Sequence, residues 1–482
     1  MNQSENINSR RWIILVVVLL ITFMATLDGS IVNVALPVMS ESLSVSTSSI
    51  QLVVTSYLIT VSALILIFGR LGDLLGKSRV FKFGIVIFTF GSLLCGLSHS
   101  FMMLVIARII QAIGAAATMA NNQGIITHVF PAHERGRALG MTGTFVALGA
   151  LTGPALGGLI VGTLSWEYIF LINVPIGIFG FLMAMKILPH NKVDRQEKLD
   201  LKGSLLFMMT IIPMFAAIEV GGQLGYERPL VLSGLGIALL SFIGFLIIEK
   251  RQPEPLLDLS IFKNSLFTLS LFCGFLSFIA LFASNIIQPF YLQNALGFSP
   301  TFAGMLLMIY PAILAVVAPV SGYMSDKIGS EFLTFIGLAI TSLGLFLMSG
   351  LTVSSPFPLI ITYTALLGIG NGLFQSPNNS LIMSTVPKHK LGIAGSVNAL
   401  IRNMGMVFGI ALSTTILYSR MSTVIGYKVT DYVEGQSDAF IYGMQTVYLV
   451  AGSICLIGAA LTALRLIRQR QANKKAETVH EK

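Results

Sequence analysis

Charge is scarce in this chain. Only 11% of its 482 residues are Asp, Glu, Lys or Arg, whereas soluble domains carry about 25%. That shortage excludes a soluble enzyme, with or without a single anchor. Cysteine is scarcer still. Cys95, Cys273 and Cys455 are odd in number, far apart and set in apolar runs, so no disulfide framework is expected. His99, His128, His133, His190, His389 and His480 fall at span ends, in loops or in the tail and show no metal-ligand spacing. No His/Asp/Ser or metal constellation stands at membrane depth. The chain therefore reads as no enzyme, with no catalytic and no metal-ligating residues. A cleavable signal is also missing. Residues 1–11 are polar, and the hydrophobic run that follows is too long for a signal-peptide core.

Apolar residues fill the space instead: 54% of the chain is hydrophobic and the mean hydropathy is +0.83. A membrane span needs about 20 mostly apolar residues. On that rule fourteen spans are predicted, at 12–36, 50–69, 80–98, 101–123, 137–163, 167–188, 203–221, 230–249, 266–291, 301–323, 332–350, 357–380, 393–418 and 443–465. Of the 30 basic residues, 25 lie on one set of alternate segments, from Arg10 and Arg11 to the tail. The positive-inside rule makes that side, and both termini, cytoplasmic. The net charge of +9 is thus a topology signal and not a nucleic-acid footprint; the expected surroundings are a lipid bilayer, with no nucleic acid.

The chain repeats itself. NNQGIITHVFPAHERGRALG (121–140) resembles NNSLIMSTVPKHKLGIAGS (378–396), and Gly149, Gly153 and Gly157 return as Gly405, Gly409 and Ser413. GRLGDLLGK (69–77) is echoed by GYMSDKIGS (322–330). The organisation that follows is a cytoplasmic N-terminus (1–11), a six-helix bundle (12–190), an inserted two-helix linker (191–264), a second six-helix bundle (265–465) and a basic tail (466–482). Parallel six-span halves with a midplane site between them suit a transporter that rocks.

The first span leads into MATLDGSIVNVALP (24–37), which places Asp28 at membrane depth. A carboxylate there costs roughly 2.5–3.5 kcal/mol on insertion scales, so it normally faces a bundle interior or a wet cavity and carries protons, ions or substrate. The alternative is a structural anchor between helices. In the fourth span Arg108, Gln111, Thr118 and Asn122 share a broad helical arc. At 1.5 Å per residue, Asp28 is about 12 Å and Arg108 about 10 Å from the outer edge, so the two can meet if their helices are neighbours.

GDLLGKS is not a phosphate-binding loop, because Leu71 stands where that motif needs glycine. Gly69, Asp73 and Gly76, with Asp326 in the repeat, read as a tight cytoplasmic turn, the alternative being a solvated loop. GALTGPALGG (149–158) offers a smooth strip at Gly149, Gly153 and Gly157 for close helix contact, with Pro154 to bend it.

Taken together these segments resemble the fourteen-span drug:proton antiporters of the major facilitator superfamily. LDGSIVNVALP, GRLGDLLGK, ARIIQAIGAAA (107–117), GALTGPALGG and WEYIFLINVPIG (166–177) are each similar to a motif of that family. Leu74, Lys77 and Glu167 stand where the family commonly has arginine. The resemblance implies an all-α major facilitator fold, in the plasma membrane, that exports hydrophobic drugs or antibiotics. It implies no cofactor, with the proton gradient as the drive. Asp28 becomes the coupling carboxylate, Arg108 its modulator, Asp73 part of the gate, and Gly153-Pro154 part of the antiport hinge. Export of an endogenous metabolite or lipid, or symport, is the alternative.

Gln111, Asn122, Asn371, Asn398 and Arg402 are the candidate lining of a substrate cavity. Arg402 lies about 16 Å into its span, near the midplane. It either faces the cavity or is satisfied by backbone carbonyls and the asparagines beside it. Glu219 ends the seventh span and reads as interfacial, the alternative being a second proton site. IGYKV (425–429) alternates and is compatible with a short hairpin. The partners expected are small hydrophobic substrates and protons, with the chain a monomer.

Overall fold

The computed structural model describes residues 3–131, 134–189, 199–252, 255–387 and 391–480. The described residues form helices joined by short turns, with no strand among them. Among the described residues fourteen helices are long and apolar enough to cross a membrane: Arg10–Ser42, Thr47–Leu75, Lys77–Gly96, Phe101–Val129, Met141–Thr163, Tyr168–Ile187, Leu201–Gly222, Pro229–Glu249, Ser265–Ala295, Pro300–Ser325, Ser330–Met348, Phe357–Ser384, Ile393–Ile425 and Ser437–Ile467. They are numbered here as spans 1 to 14 in chain order.

The helices overrun the expected limits where the sequence has a proline or a polar flank. Span 1 was expected to stop at 36, before Pro37. It continues through Pro37 to Ser42, because inside a membrane protein neighbouring helices compensate for the donor that proline removes. The suggested hairpin at 425–429 is not formed. The helix of span 13 ends at Ile425, Gly426 takes a positive φ of +88°, and the Val429 amide bonds the Ser422 hydroxyl at 2.8 Å. A local side-chain acceptor thus outcompetes a strand ladder.

Spans 1–6 pack on one another, as do spans 9–14, while spans 7 and 8 form a hairpin. Span 7 lies against span 2 and span 13, and so fills the lateral seam between the bundles. Span 8 carries Leu230, Leu232, Leu239, Leu240, Phe242 and Ile243 as exposed residues, the composition of a lipid-facing helix. At the basic end of the hairpin Asp200 caps span 7 through the Gly203 amide at 2.9 Å and accepts from Gln252 at 3.3 Å.

The two bundles repeat their joints. Between spans 2 and 3 Gly76 has φ +96°, and between spans 10 and 11 Gly329 has φ +90°. Each is the last glycine of its repeated motif, and this backbone is open to glycine at little cost. Asp73 pairs with Lys77 one turn on. Gly69 approaches Ser396 of the other bundle. The side chain of Asp326 lies outside the described residues.

Candidate functional site

Span 1 carries Asp28 into the interior of the first bundle, where it is 0% exposed. Three donors converge on it. Arg108 Nη1 of span 4 reaches Oδ2 at 2.7 Å, and Gln111 Nε2 of span 4 and Asn173 Nδ2 of span 6 each reach Oδ1 at 2.8 Å. Arg108 is 1% exposed. Its Nε donates to the Val53 carbonyl of span 2 at 3.0 Å, and its Nη1 also reaches Gln111 Oε1 at 2.6 Å. Its guanidinium carbon stands 4.3 Å from the centre of the Tyr57 ring and 5.6 Å from that of Phe170. Gln111 also donates to Ser92 of span 3 at 2.8 Å. Spans 1, 2, 4 and 6 are therefore tied through one carboxylate and one guanidinium, and span 3 joins them through the Gln111 amide.

The chemistry follows from donor arithmetic. An ionised carboxylate accepts all three donors and neutralises Arg108. A protonated one carries a hydrogen of its own, holds Arg108 less tightly and opposes one of the three donors. In a low-dielectric interior that difference is large, since breaking a buried pair costs about 3–5 kcal/mol. The charge on Asp28 thus bears directly on how spans 1, 4 and 6 are joined.

The bundles meet at the end opposite the basic loops. Gln51 of span 2 bonds Thr414 of span 13, and Thr47 bonds both Tyr418 and Asp431. Gln293 donates to the Val34 carbonyl at 3.0 Å, and Thr301 to the Gly158 carbonyl at 3.1 Å. Span 5 has two glycine faces. Gly149, Gly153 and Gly157 seat it on span 1: a Cβ at Gly153 would lie 1.9 Å from Ser30 Oγ. Gly158 seats it on span 10 of the other bundle, where a Cβ would come 2.7 Å from the Pro300 carbonyl oxygen and 3.1 Å from Gly304 Cα. A Cβ at Gly304 would come 2.4 Å from the Pro154 carbonyl oxygen. The strip at 149, 153 and 157 therefore belongs to packing inside the first bundle. The contact between bundles uses the Pro154 carbonyl and Gly158.

A family profile described as Major Facilitator Superfamily matches residues 18–410 and 270–482. The chain belongs to the major facilitator superfamily. It is 36% identical over 456 residues to a riboflavin transporter, RibZ, of Clostridioides difficile, across 94% of this chain and 97% of that one. It is 30% identical over 404 residues to the multidrug resistance protein Stp of Mycobacterium tuberculosis, across 84% and 75%. Among solved structures it resembles a bacterial homologue of the human lysosomal transporter Spinster in an inward-facing, unoccupied conformation, with a TM-score of 0.63, 17% identity and coverage of 94% and 96%. The fold of this major facilitator protein is all-α with fourteen spans, and the chain is a multi-pass membrane transporter rather than an enzyme.

The residues assigned to a cavity lining separate on this major facilitator frame. Gln111 stands apart from such a lining, because both its polar atoms are spent within the Asp28 cluster. Asn122 donates to Thr22 at 3.1 Å, between spans 4 and 1. Asn371 donates to Tyr310 at 2.6 Å, between spans 12 and 10. Asn398 donates to Asn379 at 2.9 Å. Arg402 makes no hydrogen bond or ion pair among the described residues, and its Nε is shielded from solvent. The neighbouring Asn403 leaves its Nδ2 unpaired as well, so neither asparagine satisfies the arginine. Asn173 was missed from the candidate set. It stands inside WEYIFLINVPIG, and the cost of a polar group at membrane depth, which singled out Asp28, would have singled it out too.

Proposed function

We propose that the protein is a proton-coupled exporter of hydrophobic small molecules, resident in the plasma membrane with both termini cytoplasmic, and that it works by alternating access. The observation that carries this reading is the buried Asp28–Arg108 pair with its two amide partners. Protonation of Asp28 loosens span 1 from spans 4 and 6. Six residues further along span 1, about 9 Å away by helical rise, the Val34 carbonyl receives Gln293 from the second bundle. A change in the seating of span 1 thus reaches the closed end of the molecule. The similarity to a multidrug resistance protein supports export of drugs. The deciding experiment is efflux of a fluorescent dye from everted vesicles with and without an imposed pH gradient. Gradient-dependent dye movement is the expected result, and movement indifferent to the gradient would refute the coupling.

A second reading of the substrate rests on the relative that is a riboflavin transporter and on Arg402. With Asp28 ionised, the deep charges of Asp28, Arg108 and Arg402 sum to +1. Asp28 is spent on Arg108, so Arg402 remains the uncompensated one. An unanswered guanidinium near the midplane disfavours a second positive charge. Neutral or anionic planar molecules, riboflavin among them, are then better cargo than dicationic antiseptics. An efflux panel spanning ligand charge, run on the parent and on Arg402→Gln, should show dications improving in the variant. Strong export of dications by the parent would refute the selection.

A further inference from the structure

The cavity at the base-poor end belongs to neither the Asp28 cluster nor Arg402. It encloses about 320 Å³ between span 7, span 13 and the start of span 2. Its walls include Glu219, Tyr226, Thr414, Tyr418 and Ser422. Glu219 was expected to be interfacial; it is only 9% exposed, and its Oε2 has no partner. A carboxylate in that position needs a cation or a proton. Glu219 forms no salt bridge among the described residues. Lys428, the other ionic group on the wall, is an exposed side chain, so its charge is screened by water.

The rest of the wall favours the same kind of ligand. Thr414 donates to the Ile410 carbonyl at 2.7 Å and Ser422 to the Tyr418 carbonyl at 2.7 Å. The Ser422 oxygen also accepts the Val429 amide at 2.8 Å, and Thr414 also bonds Gln51, so the two hydroxyls present no free donor to the space. Tyr226 packs on Gly221, two residues from Glu219, and shares the cavity wall with it; its ring is of the kind that attracts organic cations. Thr415 follows Arg402 by thirteen residues on span 13, about 20 Å by helical rise, so the repulsion from Arg402 is weak here.

We propose that this cavity is a second ligand site, for a monovalent organic cation, with Glu219 as its counter-charge. The site lies at the seam that the span 7–8 hairpin fills, open at the base-poor surface. It is independent of the coupling site, and nothing in it requires Asp28.

The test is equilibrium binding of ethidium, a fluorescent monocation, to the full chain in nanodiscs. Glu219→Gln, which keeps the shape and removes the charge, should weaken binding by about tenfold or more. Glu219→Asp should restore most of it. A second readout guards against misfolding. Thr415→Cys should react with a membrane-impermeant maleimide, and ethidium should protect it. The native cysteines are buried and give little background. Unchanged ethidium affinity in Glu219→Gln, or no protection of Thr415→Cys by ethidium, would each overturn the assignment.

Discussion

Asp28→Asn should abolish transport driven by a pH gradient while the protein still inserts in the membrane. The carboxylate accepts from Arg108, Gln111 and Asn173 at once. Asparagine keeps one acceptor oxygen and turns an NH2 group towards at least one of those donors. It also leaves the buried Arg108 charge uncompensated, with an expected cost of about 3–5 kcal/mol in the first bundle. Two measurements separate the effects. Proton flux on addition of substrate to everted vesicles reads the coupling, and thermal unfolding in detergent reads the stability. Asp28→Asn combined with Arg108→Gln should recover stability, since the orphaned charge is gone, and should not recover coupling. Full proton-coupled transport by Asp28→Asn would remove Asp28 from the mechanism.

Gly158→Leu should hold the transporter away from the state seen here. Even a Cβ at Gly158 would meet backbone of span 10, at 2.7 Å from the Pro300 oxygen, and backbone cannot rotate aside. Overpacking of this kind costs about 1–3 kcal/mol. Since the clash exists only while spans 5 and 10 touch, the cost shifts the balance of facing states by about 5–150-fold. Gly304→Leu attacks the same contact from the other side and should behave alike. Gly153→Leu differs, because its neighbours Ser30 and Ile31 belong to the same bundle; it should lower expression and thermal stability. Cysteine accessibility at the base-poor end should rise in the first two variants. Parent-like labelling in both would show that the spans 5–10 contact does not gate.

The fourteen spans were legible because a bilayer imposes a length and a composition that few other structures satisfy. The meeting of Asp28 with Arg108 was legible as a matter of depth, since helical rise places each residue along its own axis. What depth does not give is azimuth. Gln111 shares an arc with Asn122, yet one closes on the carboxylate and the other bonds Thr22. Gly158 adjoins Gly157, yet one touches the second bundle and the other touches span 1. One residue turns a helix by about 100°, so a pattern of small residues announces close contact without saying with which partner. Glu219 sits near a span end, where sequence places it in the interface. The hairpin folded over the seam buries it instead, a tertiary effect outside the reach of periodicity.

In the second bundle the joint between spans 9 and 12 is a neutral one, Gln288 to Thr364 at 3.0 Å. The duplication kept the scaffold there and not the ions. If the proposed coupling moves one proton per molecule through Asp28, thermodynamics sets a ceiling on what such an exporter can accumulate. For a neutral substrate, one proton moving down one pH unit and 100 mV releases about 1.4 plus 2.3 kcal/mol. That sum sustains a concentration ratio of about 500-fold and no more. A neutral cargo also makes each cycle electrogenic, so membrane voltage alone, at equal pH on both sides, suffices to drive it uphill.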